Sequence, residues 1–228
     1  MTVLLLRHGR SHANTSGILA GRSSDISLDD RGLAQASDLV ERLSSVPLAR
    51  IVHSPLLRCA QTVAPLAERC GLEPMVDERL IEVDYGSWTG RSLADLVDEP
   101  LWRVVQQHPA AVAFPGGESM PAMQARAVAA VREHDLRLRE EHGHDVAWLA
   151  CSHGDIIKAV VADALGLHLD GFQRIVIEPG SVSVVRYTET RPFLHHLNDH
   201  GSRFDGLGHH GKGSGTSSEA AVGGHVPR

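Results

Sequence analysis

Two short apolar runs, TVLLL (2–6) and VAWLAC (146–151), are each followed at once by a His-Gly pair: Arg7-His8-Gly9 and Ser152-His153-Gly154. Apolar runs this short, without polar alternation, read as strands buried on both faces, which is the habit of parallel strands covered by helices. Between and after them the apolar residues recur at helical spacing. Leu33, Ala36, Val40 and Leu43 share one face, and Leu56, Ala60, Val63, Ala64 and Ala67 share another that stops at Cys70-Gly71. A longer helix is predicted from an N-cap at Ser119 to about Glu141, with Met123, Ala127, Ala130, Val131 and Leu138 inward. Another follows His153 with Ile156, Ile157, Val160 and Ala164, ending near Gly166. From Ile175 to Leu197 strands return, with a Pro179-Gly180 turn between RIVIE and SVSVVRY. Strands alternating with helices predict an α/β fold with a largely parallel sheet and room for an antiparallel edge.

The chain of 228 residues is 42% hydrophobic, enough for a core without disulfide staples. A net charge of -6 argues against a nucleic-acid or anionic-membrane binder. Lys158 and Lys212 are the only lysines, so the cations are almost all arginines. Cys59, Cys70 and Cys151 have no metal-ligand spacing and read as reduced, mostly buried thiols. The N-terminal apolar run is too short for a secretion signal, and no stretch approaches the roughly 20 residues of a membrane span. The expectation is a soluble, cytoplasmic protein. Residues 201–228 hold eight glycines and four serines and are predicted to be a disordered Gly/Ser/His-rich tail beyond a single domain over 1–200.

Ligands of open α/β sheets bind beyond the carboxyl ends of the strands, so both His-Gly pairs fall where a ligand would sit. His153, at a helix N-terminus, would lie beside free backbone amides. Alone, His8 could equally be a loop histidine near a surface arginine, and His153 a helix-capping or core-satisfying residue; two of them at one sheet edge are harder to dismiss. Arg58, in the first turn after the strand-turn IVHSP, stands where the helix dipole disfavours a cation. It calls for an anion or a carboxylate partner. Glu82 and Asp84, in the turn-rich stretch Leu80–Gly90, add acids that burial could turn into proton donors.

Taken in order, Arg7-His8-Gly9, Arg58 of SPLLRCAQT, Glu82 before Tyr85-Gly86, and Ser152-His153-Gly154 resemble the histidine phosphatase superfamily, also called phosphoglycerate mutase-like, over roughly residues 1–190. Asn14, the stretch Leu28–Gly32 with Gln35-Ala36, and Pro115-Gly116-Gly117-Glu118-Ser119 add to the likeness. The resemblance implies a three-layer sandwich with helices on both faces of the sheet. It also implies metal-independent phosphomonoester hydrolysis, without a cofactor, on a small-molecule ester. His8 would be the nucleophile that carries a phosphohistidine. Arg7, Arg58 and His153 would clamp the phosphoryl oxygens, and Glu82 would protonate the leaving group. Asn14, Gly21, Tyr85 and Gly154 are the implied substrate-binding positions.

Three other readings stay open at this point. Mutases of the superfamily resemble Glu-Arg-x-Tyr-Gly after the acid and carry a lysine and paired arginines in an insertion. Here Val83 follows Glu82, and Gly90–Pro115 holds no lysine and only Arg91 and Arg103, which favours hydrolysis. A non-catalytic phospho-ligand module would keep the pocket and lose the chemistry. A metallohydrolase would use His195, His196, His200, His209 and His210, which lack an accompanying carboxylate pattern. The stretch Leu93–Phe114 is read as a cap over the site, and Leu101, Trp102 and Val105 as a candidate homodimer face. The substrate expected is an ester with an uncharged or apolar body.

Overall fold

Both apolar runs form strands at the centre of one sheet. The computed structural model describes residues 1–201 and contains β1 (Thr2–Arg7), β2 (Leu48–His53), β3 (Met75–Val76), β4 (Ala147–Ser152), β5 (Val182–Tyr187) and β6 (Pro192–Asp199). The expected tail lies, from residue 202 onward, outside the described residues. The strand order is β3-β2-β4-β1-β5-β6. The pairs β3–β2, β2–β4 and β4–β1 are parallel, while β5 and β6 add antiparallel pairings at one side. β1 is buried on both faces. Leu4 and Leu6 join a cluster with Leu39, Val63 and Leu66, whereas Val3 and Leu5 join Met123, Ala127, Ile156 and Val160 on the other side. Each such side chain contributes about 1.5–3 kcal/mol of burial, which explains why the run shows no polar alternation.

The helices are α1 (His12–Ser16), α2 (Asp30–Arg42), α3 (Leu57–Cys70), α4 (Leu93–Leu96), α5 (Pro100–Gln107), α6 (Met120–His142) and α7 (Gly154–Ala164). α2 and α3 supply one layer, α6 and α7 the other, so the sandwich is three-layered with a mostly parallel sheet. α6 is capped by Ser119, whose side chain accepts from the Ala122 amide, and its predicted inward residues are all buried. Among the described residues no helix is long and apolar enough to cross a membrane.

Four details differ from the sequence reading. On α2 the buried stripe is Gly32, Ala36 and Leu39, continued by Leu43, and Leu33 is exposed. The helix is turned by the close approach of Gly32 to the loop after β1, where a Cβ would stand 2.0 Å from the Arg10 carbonyl oxygen. On α3, Ala64 is exposed and Leu66 takes its inward place. RIVIE is not a strand: β5 already occupies the free side of β1, so Ile175 and Ile177 are buried in an extended segment instead. Finally, Val105 is fully buried and so is withdrawn from the expected dimer face, while Leu101 and Trp102 are partly buried and pack against the core. Along β6 adjacent side chains alternate between faces, which parts His195 from His196. His200 pairs with Glu178 at 3.0 Å.

Candidate active site

β2, β4 and β1 lie side by side and parallel, so their carboxyl ends meet at one edge. Arg7 is in register with Ser152, and His53 with Cys151. The pairing continues past the strands: the His8 amide donates to the Ser152 carbonyl and the Ser54 amide to the Cys151 carbonyl, both at 3.0 Å. His8, Ser54 and His153 therefore become neighbours although they are far apart in sequence. The rings of His8 and His153 are 5.2 Å apart, centroid to centroid, at 60°.

The two imidazoles are held by opposite nitrogens. Nδ1 of His8 lies 2.7 Å from the Gly9 carbonyl oxygen, which can only accept, so Nδ1 carries the proton and the neutral ring keeps its lone pair on Nε2. For His153 it is Nε2 that is engaged, 2.8 Å from Ser54 Oγ, while Nδ1 is buried without a hydrogen-bond partner. Burial pushes the pKa of both rings well below the usual histidine range, reinforced for each by the positive charges of Arg58 and Arg7. Both are neutral imidazoles at neutral pH.

Two guanidiniums flank them. Arg7 is buried at the end of β1, and its Nη1 donates to the Ile177 carbonyl at 2.6 Å. The irregular 175–178 segment thus anchors Arg7. Arg58 is buried in the first turn of α3 and donates to the carbonyls of Gly21 (2.8 Å) and Ser23 (3.2 Å). Its backbone is fixed by Thr62, whose hydroxyl donates to the Arg58 carbonyl at 2.6 Å and accepts from the Gly9 amide at 2.9 Å. One hydroxyl therefore couples the His8 loop to the Arg58 helix.

Glu82 is buried, with one carboxylate oxygen accepting from the Val83 amide at 2.9 Å. Burial and the nearby Asp155 charge push its pKa up to about 7, against the opposing pull of Arg58 and Arg7. Beside it the Tyr85 hydroxyl donates to Asp155 at 2.8 Å, and Lys158 approaches the same carboxylate at 3.6 Å. All three are buried, and Lys158 also donates to Gln173 at 3.1 Å.

A small cleft opens over this edge. Its lining includes His8, Asn14, Gly21, Arg58, Glu82 and Tyr85, and the rest is mainly apolar: Ala13, Ile18, Leu19, Ala20 and Leu93. Arg7, His153 and Gly154 are fully buried at the same edge and are not part of the lining, with Gly154 packed against the Arg7 guanidinium. All five proposed catalytic residues are thus brought together. Asn14 reaches the wall but also caps α1 through Ser11. Tyr85 presents its ring, because its hydroxyl is committed to Asp155. Of the expected cap only Leu93 reaches the lining; Leu96, Val105, Val112 and Phe114 are buried in the core and Val97 is exposed. Sequence reasoning missed the Gly17–Ala20 wall, Ser54, Thr62, Asp155 and the Ile177 carbonyl. Thr62, four residues after Arg58, and Lys158, three after Asp155, share helix faces and were detectable by spacing; Ile177 left no signal.

Residues 3–200 match the sequence profile of the histidine phosphatase superfamily, branch 1. The chain is 31% identical over 199 residues to phosphoserine phosphatase 1 of Hydrogenobacter thermophilus, covering 86% of this chain and 91% of the relative. It is 32% identical over 196 residues to a probable phosphoglycerate mutase of Enterobacter sp., covering 85% and 88%. Among solved structures, a mycobacterial glucosyl-3-phosphoglycerate phosphatase in complex with VO3 superposes with a TM-score of 0.78 at 29% identity, covering 86% of this chain and 98% of that one.

Proposed function

Because the chain belongs to the histidine phosphatase superfamily and is a phosphomonoester hydrolase, we propose that it works through a covalent phosphohistidine on His8. The observation that carries this reading is the neutral His8 ring, its Nδ1 tied to Gly9, set 5.2 Å from His153 and flanked by Arg7 and Arg58. In the first half-reaction Nε2 of His8 attacks phosphorus. The P–O ester bond breaks, and the leaving oxygen takes the proton of Glu82. In the second, Glu82 removes a proton from water, the water oxygen bonds to phosphorus, and the P–N pair returns to Nε2. Arg7, Arg58 and His153 stabilise the charge on the equatorial oxygens, where each good contact supplies about 3 kcal/mol of barrier reduction. Asn14, with Gly21 and Tyr85, shapes the mouth.

The organic part of the ester would lie against Ala13, Ile18, Leu19, Ala20 and Leu93. The arginines of the Gly90–Pro115 stretch are already engaged, Arg91 with Glu99 at 2.5 Å and Arg103 with Gln107 at 3.3 Å. That wall suits an uncharged or apolar alcohol, and it supports hydrolysis over mutase chemistry on a carboxylated substrate. Free Cys59, Cys70 and Cys151 fit a reducing, cytoplasmic setting. The test is hydrolysis of p-nitrophenyl phosphate and of a panel of alkyl and carboxylated phosphates in EDTA, comparing wild type with His8→Ala. EDTA-resistant release of phosphate that disappears in the variant, fastest on apolar esters, is expected. Isomerisation of 3-phosphoglycerate faster than phosphate release would replace hydrolase by mutase.

A further inference from the structure

Glu82 lies on an irregular stretch between two 3₁₀ turns, Glu78–Leu80 and Gly86–Trp88, where no sheet ladder holds it. What fixes this stretch is a guanidinium on α6. Arg126 donates through Nη1 to the carbonyls of Arg79 (2.7 Å) and Ile81 (2.8 Å), and through Nη2 to the carbonyl of Glu82 itself (3.1 Å). The same fork is locked by Glu118, which accepts from Nη2 at 2.6 Å and from Nε at 3.0 Å. Glu118 also accepts from the Asp84 amide and from Arg22, each at 2.9 Å. Arg22 returns a second hydrogen bond, at 3.0 Å, to the Glu82 carbonyl.

The backbone reinforces the brace. The Glu118 amide donates to the Asp84 carbonyl at 3.0 Å and the Ser87 amide to the Pro115 carbonyl at 2.9 Å. Glycine is needed on both sides of this contact. A Cβ on Gly86 would stand 2.1 Å from the Pro115 carbonyl oxygen, and one on Gly117 would stand 2.2 Å from that of Asp84. The hydrogen bonds of the Arg126 guanidinium all run either to the segment carrying Glu82 or to Glu118.

We propose that Arg126, held by Glu118, is a positioning residue for Glu82: it fixes the carboxyl's backbone so that the proton is delivered to the leaving oxygen. The inference rests on the reading of Glu82 as proton donor, and leaving-group dependence separates the two. p-Nitrophenolate departs with little help from an acid, whereas an alkoxide needs the proton. Arg126→Gln and Glu118→Gln are each assayed on p-nitrophenyl phosphate and on hexyl phosphate, with Glu82→Gln as the reference and thermal melting to establish folding. Misplacing the acid is expected to slow the phosphorylation half-reaction, read as the single-turnover rate of alcohol release, on the order of 30- to 100-fold for hexyl phosphate and less than about threefold for p-nitrophenyl phosphate. Glu118→Gln, nearly isosteric, gives the same selective pattern where Arg126→Gln does not fold. Equal losses on both esters, or no loss on either, in the folded variant overturn the positioning role. If Glu82→Gln itself does not discriminate between the esters, it is the proton-donor assignment that fails.

Discussion

The two strand ends carry the same His-Gly pattern on adjacent parallel strands, yet they have become different instruments. After His8 the chain turns into a loop, and the imidazole bonds its own neighbour's carbonyl through Nδ1. After His153 a helix begins at once, and the ring is gripped from another strand end by Ser54 through Nε2. His8 therefore presents Nε2 and lines the cleft, whereas His153 leaves Nδ1 without a partner and sits at the helix N-terminus. A nucleophile must reach the phosphorus; an oxyanion ligand must sit beside it in an electropositive place. The proposed division of tasks between the two rings rests on which nitrogen is tied.

The contrast can be broken most sharply by removing each ring. His8→Ala should lower turnover by about 10⁴-fold or more and abolish any phosphoenzyme trapped under alkaline conditions, where a phosphoramidate survives. His153→Ala should cost about 10²- to 10³-fold while the phosphoenzyme still forms; a trapped species on the His8→Ala protein would reverse the two roles. Ser54→Ala releases Nε2 of His153 and should lower kcat about tenfold with little change in KM, since the neutral ring stays in the clamp and loses only its orientation. A KM effect without a kcat effect would place Ser54 in substrate binding instead.

The smallest effect concerns pH. With Glu82 as the proposed acid, active while protonated, kcat/KM on an alkyl phosphate should fall as pH rises through about 7. His8, the proposed nucleophile, attacks while neutral, above its lowered pKa, so activity should extend well into the acid side. Asp155→Asn removes the negative charge that helps hold the Glu82 proton and leaves Lys158 in place. The alkaline limb should then move to lower pH, toward the usual carboxylate range, with the acid limb unmoved. A shift of that limb to higher pH would contradict the assigned electrostatics.

Much of the frame is legible in the linear pattern because burial is local information. TVLLL and VAWLAC have no polar alternation, and Ser119 with the Met123–Leu138 periodicity marks α6 to within a residue at either end. α2 shows where this stops. The helix is plain from its spacing, but its rotation is decided by Gly32 against the Arg10 backbone, a contact between segments that spacing cannot encode. RIVIE reads as a strand by composition and is denied that state because β5 fills the position beside β1.

The amino-acid order alone settled which chemistries were on offer: two histidines at strand ends, arginines in place of lysines, and an acid in a turn-rich stretch. Only the tertiary structure decided which nitrogen of each ring is free, that Arg7 leans on the Ile177 carbonyl, and that the Glu82 carbonyl is hydrogen-bonded from α6 by Arg126. The physical reason is range. Hydrophobic period is written within a few neighbouring residues, whereas hydrogen-bond direction and pKa depend on groups brought together from distant parts of the chain.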